Sequence, residues 1–101
     1  MLVLGVAYKS DIGDTRESPA LKLMELLRNA GSEVSYHDPH VPDLNGDRSV
    51  PLEPANYDCV VIVTAHSEID YDALIEQSQL VVDLRNATGR NGSDNGKVWK
   101  L

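Results

Sequence analysis

Met1-Leu-Val-Leu-Gly-Val-Ala7, the opening stretch of the chain, is apolar without interruption and rich in branched side chains. A strand with one wet face alternates polar and apolar residues. A run with no polar face fits a strand covered on both sides, as in a parallel sheet. Two more runs of this kind follow, Cys59-Val-Val-Ile-Val-Thr64 and Leu80-Val-Val-Asp-Leu84. Parallel neighbours need long crossover connections, and helices usually supply them.

The segments between the runs meet that need. Ser18-Pro19 has the signature of a helix start, because serine caps free N–H groups and proline at the first helical position loses no hydrogen bond. Ala20, Leu23, Met24, Leu27 and Ala30 then recur at helical spacing, with Lys22, Glu25 and Asn29 on the other face, and Gly31 is a natural stop. A short strand is expected over Glu33 to Tyr36, and a short helix over Tyr71 to Gln77 capped by Asp70. Residues 39 to 56 carry four prolines and Asn45-Gly46 and read as a loop with a helical turn near Pro54. Asn86 to Gly96 reads as another loop. Lys97 to Leu101 reads as a last strand with Trp99 packed inward. The expected fold is α/β, a doubly wound, mainly parallel Rossmann-like sheet of four or five strands with flanking helices. The first strand should lie between the second and third, with the fourth beyond the third. The 101 residues fit one domain, 1–101.

Composition removes several functions. Sixteen acidic residues against nine basic ones give a net charge of -7, which disfavours nucleic acid and anionic membrane surfaces as partners. No apolar run approaches the roughly 20 residues that span a bilayer. The apolar start has no basic lead-in, unlike a signal peptide, so a cytoplasmic location is expected. One cysteine allows neither a disulfide framework nor a cysteine-based zinc site.

Open α/β sheets bind ligands beyond the carboxyl ends of their strands. Tyr8 and Lys9 follow the first run, Arg16 comes shortly after, and Arg85 follows the Leu80 run. Three cations would thus share one sheet edge in an acidic chain. They suit a phosphate or diphosphate, with arginine giving bidentate contacts. Pairing of Lys9 and Arg16 with Asp11, Asp14 and Glu17 is the competing reading. Gly5 has no Gly-x-Gly-x-x-Gly after it, so the chain lacks the dinucleotide fingerprint. His37, Asp38, His40 and His66 lack rigid helical spacing and are not assigned as metal ligands. Cys59, opening a buried strand, reads as packing rather than as a nucleophile.

The segment Gly5-Val-Ala-Tyr-Lys-Ser-Asp-Ile-Gly-Asp-Thr-Arg-Glu-Ser-Pro-Ala20 closely resembles the motif opening the C-terminal domain of the UDP-glucose/GDP-mannose dehydrogenase family. The helix after it, His37-Asp38-Pro39-His40-Val41-Pro42, the Asp58 to Thr64 strand and Val82-Asp-Leu-Arg-Asn86 are similar to that domain in the same order. The resemblance covers nearly the whole chain. It implies an NAD-dependent oxidoreductase that converts the C6 alcohol of a UDP-sugar to a carboxylate through a cysteine-linked intermediate. It implies that Tyr8 and Lys9 contact the substrate nucleotide, that Arg85 meets the sugar or diphosphate, and that Arg16 reaches NAD. The full-length enzyme would be a homo-oligomer.

Two parts of the family pattern are missing. The glycine-rich cofactor motif is absent, and Cys59 does not match the context of the family's catalytic cysteine. The chain is therefore expected to be the UDP-sugar-binding domain alone, with no catalytic residue of its own and NAD bound mainly elsewhere. A stand-alone flavodoxin-like binding or interaction module is the alternative.

Overall fold

The structure, a computed structural model, describes residues 1–7, 18–44, 46–89 and 96–100. In chain order its strands are β1 (Leu2–Leu4), β2 (Ser35–His37), β3 (Asp43–Leu44), β4 (Asp47–Arg48), β5 (Val60–Ile62), β6 (Val81–Asp83) and β7 (Val98–Lys100). Five of them form one parallel sheet in the spatial order β2-β1-β5-β6-β7. The first strand therefore lies inside the sheet, and Leu2 stands opposite Ser35 on one side and Val60 on the other. All three residues of β1 are buried, as an all-apolar run requires.

Alternation along the strands feeds two cores. Val3, Tyr36 and Val61 face one side, where they share a cluster with Ala20 and Met24 of α1 (Pro19–Asn29). Leu2, Leu4, Val60, Ile62 and Val81 face the other, with Leu74 of α2 (Tyr71–Gln77). Helices on both faces make the sheet doubly wound, as expected. Among the described residues, neither helix is long and apolar enough to cross a membrane.

The helix boundaries follow local chemistry. Ser18 Oγ accepts the Ala20 N–H at 3.2 Å and Pro19 begins α1. Gly31, at φ +94, follows its end and donates to the Arg28 carbonyl. Asp70 Oδ1 caps α2 through the Ala73 N–H at 3.1 Å. A 3-10 turn occupies Pro54–Asn56, where the sequence suggests one.

The structure corrects two expectations. Residues 39 to 56 are not all loop, because β3 and β4 form an antiparallel hairpin beside the main sheet. Trp99 does not pack inward and is 63% exposed. Val98 joins the cluster around Leu2 and Val81, so alternation turns Trp99 to the opposite face of β7. On that face α1 packs with the central strands, and β7 is the sheet edge.

Candidate functional site

The carboxyl ends of β1, β2 and β5 meet at a switch point, because the chain leaves β1 for neighbours on both of its sides. Gly5 leaves β1 at φ +84. A Cβ there would lie 2.1 Å from the Thr64 carbonyl oxygen, so only glycine permits this approach of backbones. The Thr64 hydroxyl then donates to the Ala7 carbonyl at 2.6 Å.

Asp38, directly after β2, ties these exits together. Its Oδ2 accepts the N–H groups of Val6 at 2.8 Å and Ala7 at 3.0 Å, and the Nε2–H of His66 at 2.9 Å. Its Oδ1 accepts the His40 N–H at 2.8 Å. The side chains of Asp38 and His66 are 0% and 1% exposed. Burial alone would raise the Asp38 carboxyl. The His66 imidazole and the three backbone N–H groups outweigh burial and hold it below the ordinary aspartate value. Asp38 is thus an ionised crosslink between three chain segments.

Asp83 closes β6 in a similar way. Its Oδ1 accepts from the backbone of Arg85 and Ala87, and its Oδ2 from the N–H and hydroxyl of Thr88. Burial raises this carboxyl too, and the Thr88 and backbone hydrogen bonds again bring it below its ordinary value. Asn86, at φ 57, completes the turn. Arg85 is left exposed at its tip and makes no ion pair with any described residue. Arg85 therefore stands at the carboxyl edge of the sheet, where its position in sequence puts it. Tyr8, Lys9 and Arg16 lie outside the described residues. Tyr8 directly follows Ala7, whose N–H and carbonyl the Asp38 and Thr64 contacts fix.

The sequence assigns no role to Thr64 or Asp83, and for Asp38 and His66 it offers only metal ligation, not assigned, against solvated or capping histidines. The available signal is a polar residue closing an apolar run, as in Val82-Asp83 and Val63-Thr64. His40 Nε2 also lies 2.9 Å and 3.0 Å from the two Glu68 oxygens, beside the His66 ring at a centroid distance of 4.6 Å. Cys59 sits at the opposite, amino end of β5. Burial, with Asp58 adding to it, pushes its thiol above the ordinary value, so it is packed rather than nucleophilic.

At Gly5 the space that a pyrophosphate-binding glycine leaves open is filled by the Thr64 carbonyl. A dinucleotide pyrophosphate therefore does not fit against this glycine.

Residues 2–90 match the UDP-glucose/GDP-mannose dehydrogenase family, UDP binding domain. The chain belongs to that family. It is 37% identical over 89 residues to the UDP-N-acetyl-D-mannosamine dehydrogenase of Pyrococcus horikoshii, covering 83% of this chain and 21% of the relative. It is 33% identical over 97 residues to the UDP-glucose 6-dehydrogenase of Rhizobium meliloti, covering 83% and 22%. A solved UDP-D-ManNAc dehydrogenase from Pyrococcus horikoshii superposes with a TM-score of 0.77 at 31% identity, over 99% of this chain and 24% of that one. An NDP-N-acetyl-D-galactosaminuronic acid dehydrogenase from Methanosarcina mazei Go1 gives 0.81 at 25% identity, over 99% and 23%. The chain thus spans about a fifth to a quarter of the length of these dehydrogenases and corresponds to their UDP-binding part. Membership of the UDP-glucose/GDP-mannose dehydrogenase family favours this reading over an unrelated flavodoxin-like module.

Proposed function

We propose that this chain is the nucleotide-sugar-binding domain of an NAD-dependent UDP-sugar 6-dehydrogenase. The substrate would be UDP-glucose or a UDP-N-acetylhexosamine, oxidised to the uronic acid. The observation that carries the proposal is Arg85, a cation with no ion pair among the described residues. The Asp83 turn holds it at the carboxyl edge of the sheet, in a chain matched to a UDP-binding domain. Its guanidinium suits the diphosphate, through paired charge-assisted hydrogen bonds. Tyr8 and Lys9, next along from the clamped Ala7, complete the nucleotide contacts. Arg16 reaches NAD, which is bound mainly by another domain. The chain itself contributes binding and orientation and no catalytic residue. The reading carries with it a cytoplasmic homo-oligomer whose other partners are its own remaining domains, not nucleic acid or membrane.

A titration of the 101-residue chain with UDP, followed by backbone amide shifts, tests this. Binding should be weak, because one domain supplies only part of a cleft that normally buries most of a ligand. Shifts should appear first around Ala7 and Arg85. Arg85→Ala should raise the dissociation constant about tenfold to a hundredfold, the loss of a charged hydrogen bond of about 1.5–3 kcal/mol. Shifts confined to residues 39–54, or submicromolar binding that Arg85→Ala leaves intact, would overturn the proposal.

A further inference from the structure

We propose that His40, His66 and Glu68 form a binding site for a divalent transition-metal ion of the kind imidazole prefers, such as zinc or cobalt. This inference stands apart from the nucleotide reading and uses different residues. Each of the three side chains offers one ligand atom, and these atoms all lie within 4.8 Å of one another. Two imidazoles and a carboxylate form a donor set that suits zinc, cobalt or iron and does not suit magnesium or calcium, which take oxygen ligands.

The two histidines follow different strands, and their separation along the chain imposes no rigid spacing. The fold supplies it through Asp38. One oxygen of that buried carboxylate holds the His66 ring, and the other holds the backbone of His40. A carboxylate behind a ligating imidazole is a common outer partner in metal sites, where it fixes ring orientation and raises basicity. The His66 backbone N–H also donates to the Tyr71 hydroxyl at 3.0 Å, which anchors the connection after β5. The His66 ring and the His40 backbone are therefore held in place before any ion arrives.

Closing the group is a small movement. Metal–ligand bonds of about 2.0–2.2 Å require donor atoms roughly 3.5 Å apart, so donors now up to 4.8 Å apart must draw together while the 2.9 Å His40–Glu68 contact opens slightly. Glu68 is 50% exposed and its side chain is the part that can move. Ligation exchanges the His40–Glu68 hydrogen bond for bonds to the ion. His40 is 27% exposed, so the ion has a path from solvent. Three protein ligands leave coordination positions for water or an oxygen ligand, which makes this an open site and not a closed structural one. A net charge of -7 favours the approach of a cation.

Cobalt(II) and zinc(II) are the probes. Cobalt titrated into the 101-residue chain should give visible bands of low-symmetry coordination that saturate at one ion per chain, and zinc should displace it. His40→Ala and Glu68→Gln alter side chains outside both cores and should each weaken zinc binding tenfold or more in calorimetry. Glu76→Gln, an exposed carboxylate on α2, should leave it unchanged. Asp38→Asn, acting through His66, should weaken it tenfold to a hundredfold if the variant folds. Absence of saturable binding by the unsubstituted chain would overturn the proposal. Binding that both His40→Ala and Glu68→Gln leave intact would overturn it equally, and would direct attention to His37 or to adventitious surface carboxylates.

Discussion

The turns after β2 and β6 use the same device for different ends. Each places a buried aspartate at the close of its strand, and each aspartate accepts four hydrogen bonds. The donors to Asp83 all come from within five residues of it, so Asp83 shapes its own turn. The donors to Asp38 include Val6 and Ala7, 32 and 31 residues away, and His66, 28 residues away. Asp38 therefore joins strands, whereas Asp83 presents one exposed arginine. The range of the hydrogen bonds, not their number, decides whether a buried carboxylate acts as a fold crosslink or a local scaffold.

The largest expected effect separates the two. Asp38→Ala should lower unfolding free energy by about 3–5 kcal/mol, because it removes the shared carboxylate from the buried His66 ring and the buried N–H groups of Val6 and Ala7. Urea denaturation measures this. Asp83→Ala should cost less, about 1–3 kcal/mol, since Arg85 and Asn86 are exposed and water can reach the opened turn. Equal losses would break the distinction. Asp83→Ala should also weaken UDP binding nearly as much as Arg85→Ala does, although position 83 presents no side chain to ligand. Normal UDP affinity in Asp83→Ala would show that Arg85 needs no scaffold.

The smallest effect concerns acid. Both carboxyls titrate below their ordinary value when folded. A depressed folded pKa stabilises the native state above the unfolded pKa, and that stability is lost as pH falls through the folded one. The urea midpoint should therefore hold from pH 7 to about 5 and decline below about pH 4, near and under the ordinary aspartate value. Asp38→Asn and Asp83→Asn should each flatten that decline, since each removes a carboxyl that its hydrogen bonds hold below the ordinary value. An acid limb unchanged in Asp38→Asn would assign the decline to other carboxylates.

Much of the architecture is legible in the residues themselves. The unbroken apolar runs announce strands covered on both faces, and Ser18-Pro19 marks the start of α1 to the residue. Arg85 is found from its place after a strand. The hairpin of β3 and β4 is not, although Asn45-Gly46 is a strong hairpin signal. Its flanks, Asp43-Leu44 and Asp47-Arg48, are too short and too polar to show alternation. Trp99 misleads because a large aromatic suggests burial, while its exposure depends on which face of an edge strand it occupies. Asp38 is hidden for another reason. Its role is made of contacts to residues about thirty positions away, and nothing within its own neighbourhood encodes them.

The place of β1 in the sheet also bears on how the chain reaches its native state. Leu2–Leu4 precede both of their partners, Ser35–His37 on one side and Val60–Ile62 on the other. During synthesis this apolar segment leaves the ribosome with neither neighbour made. One of its two edges then stays open until the chain has grown past Ile62. Parallel pairing across such separations is intrinsically slow, and exposed apolar strands are prone to misassociation while they wait. The residues that are most deeply enclosed in the finished sheet are thus the ones that spend longest unsheltered on the way to it.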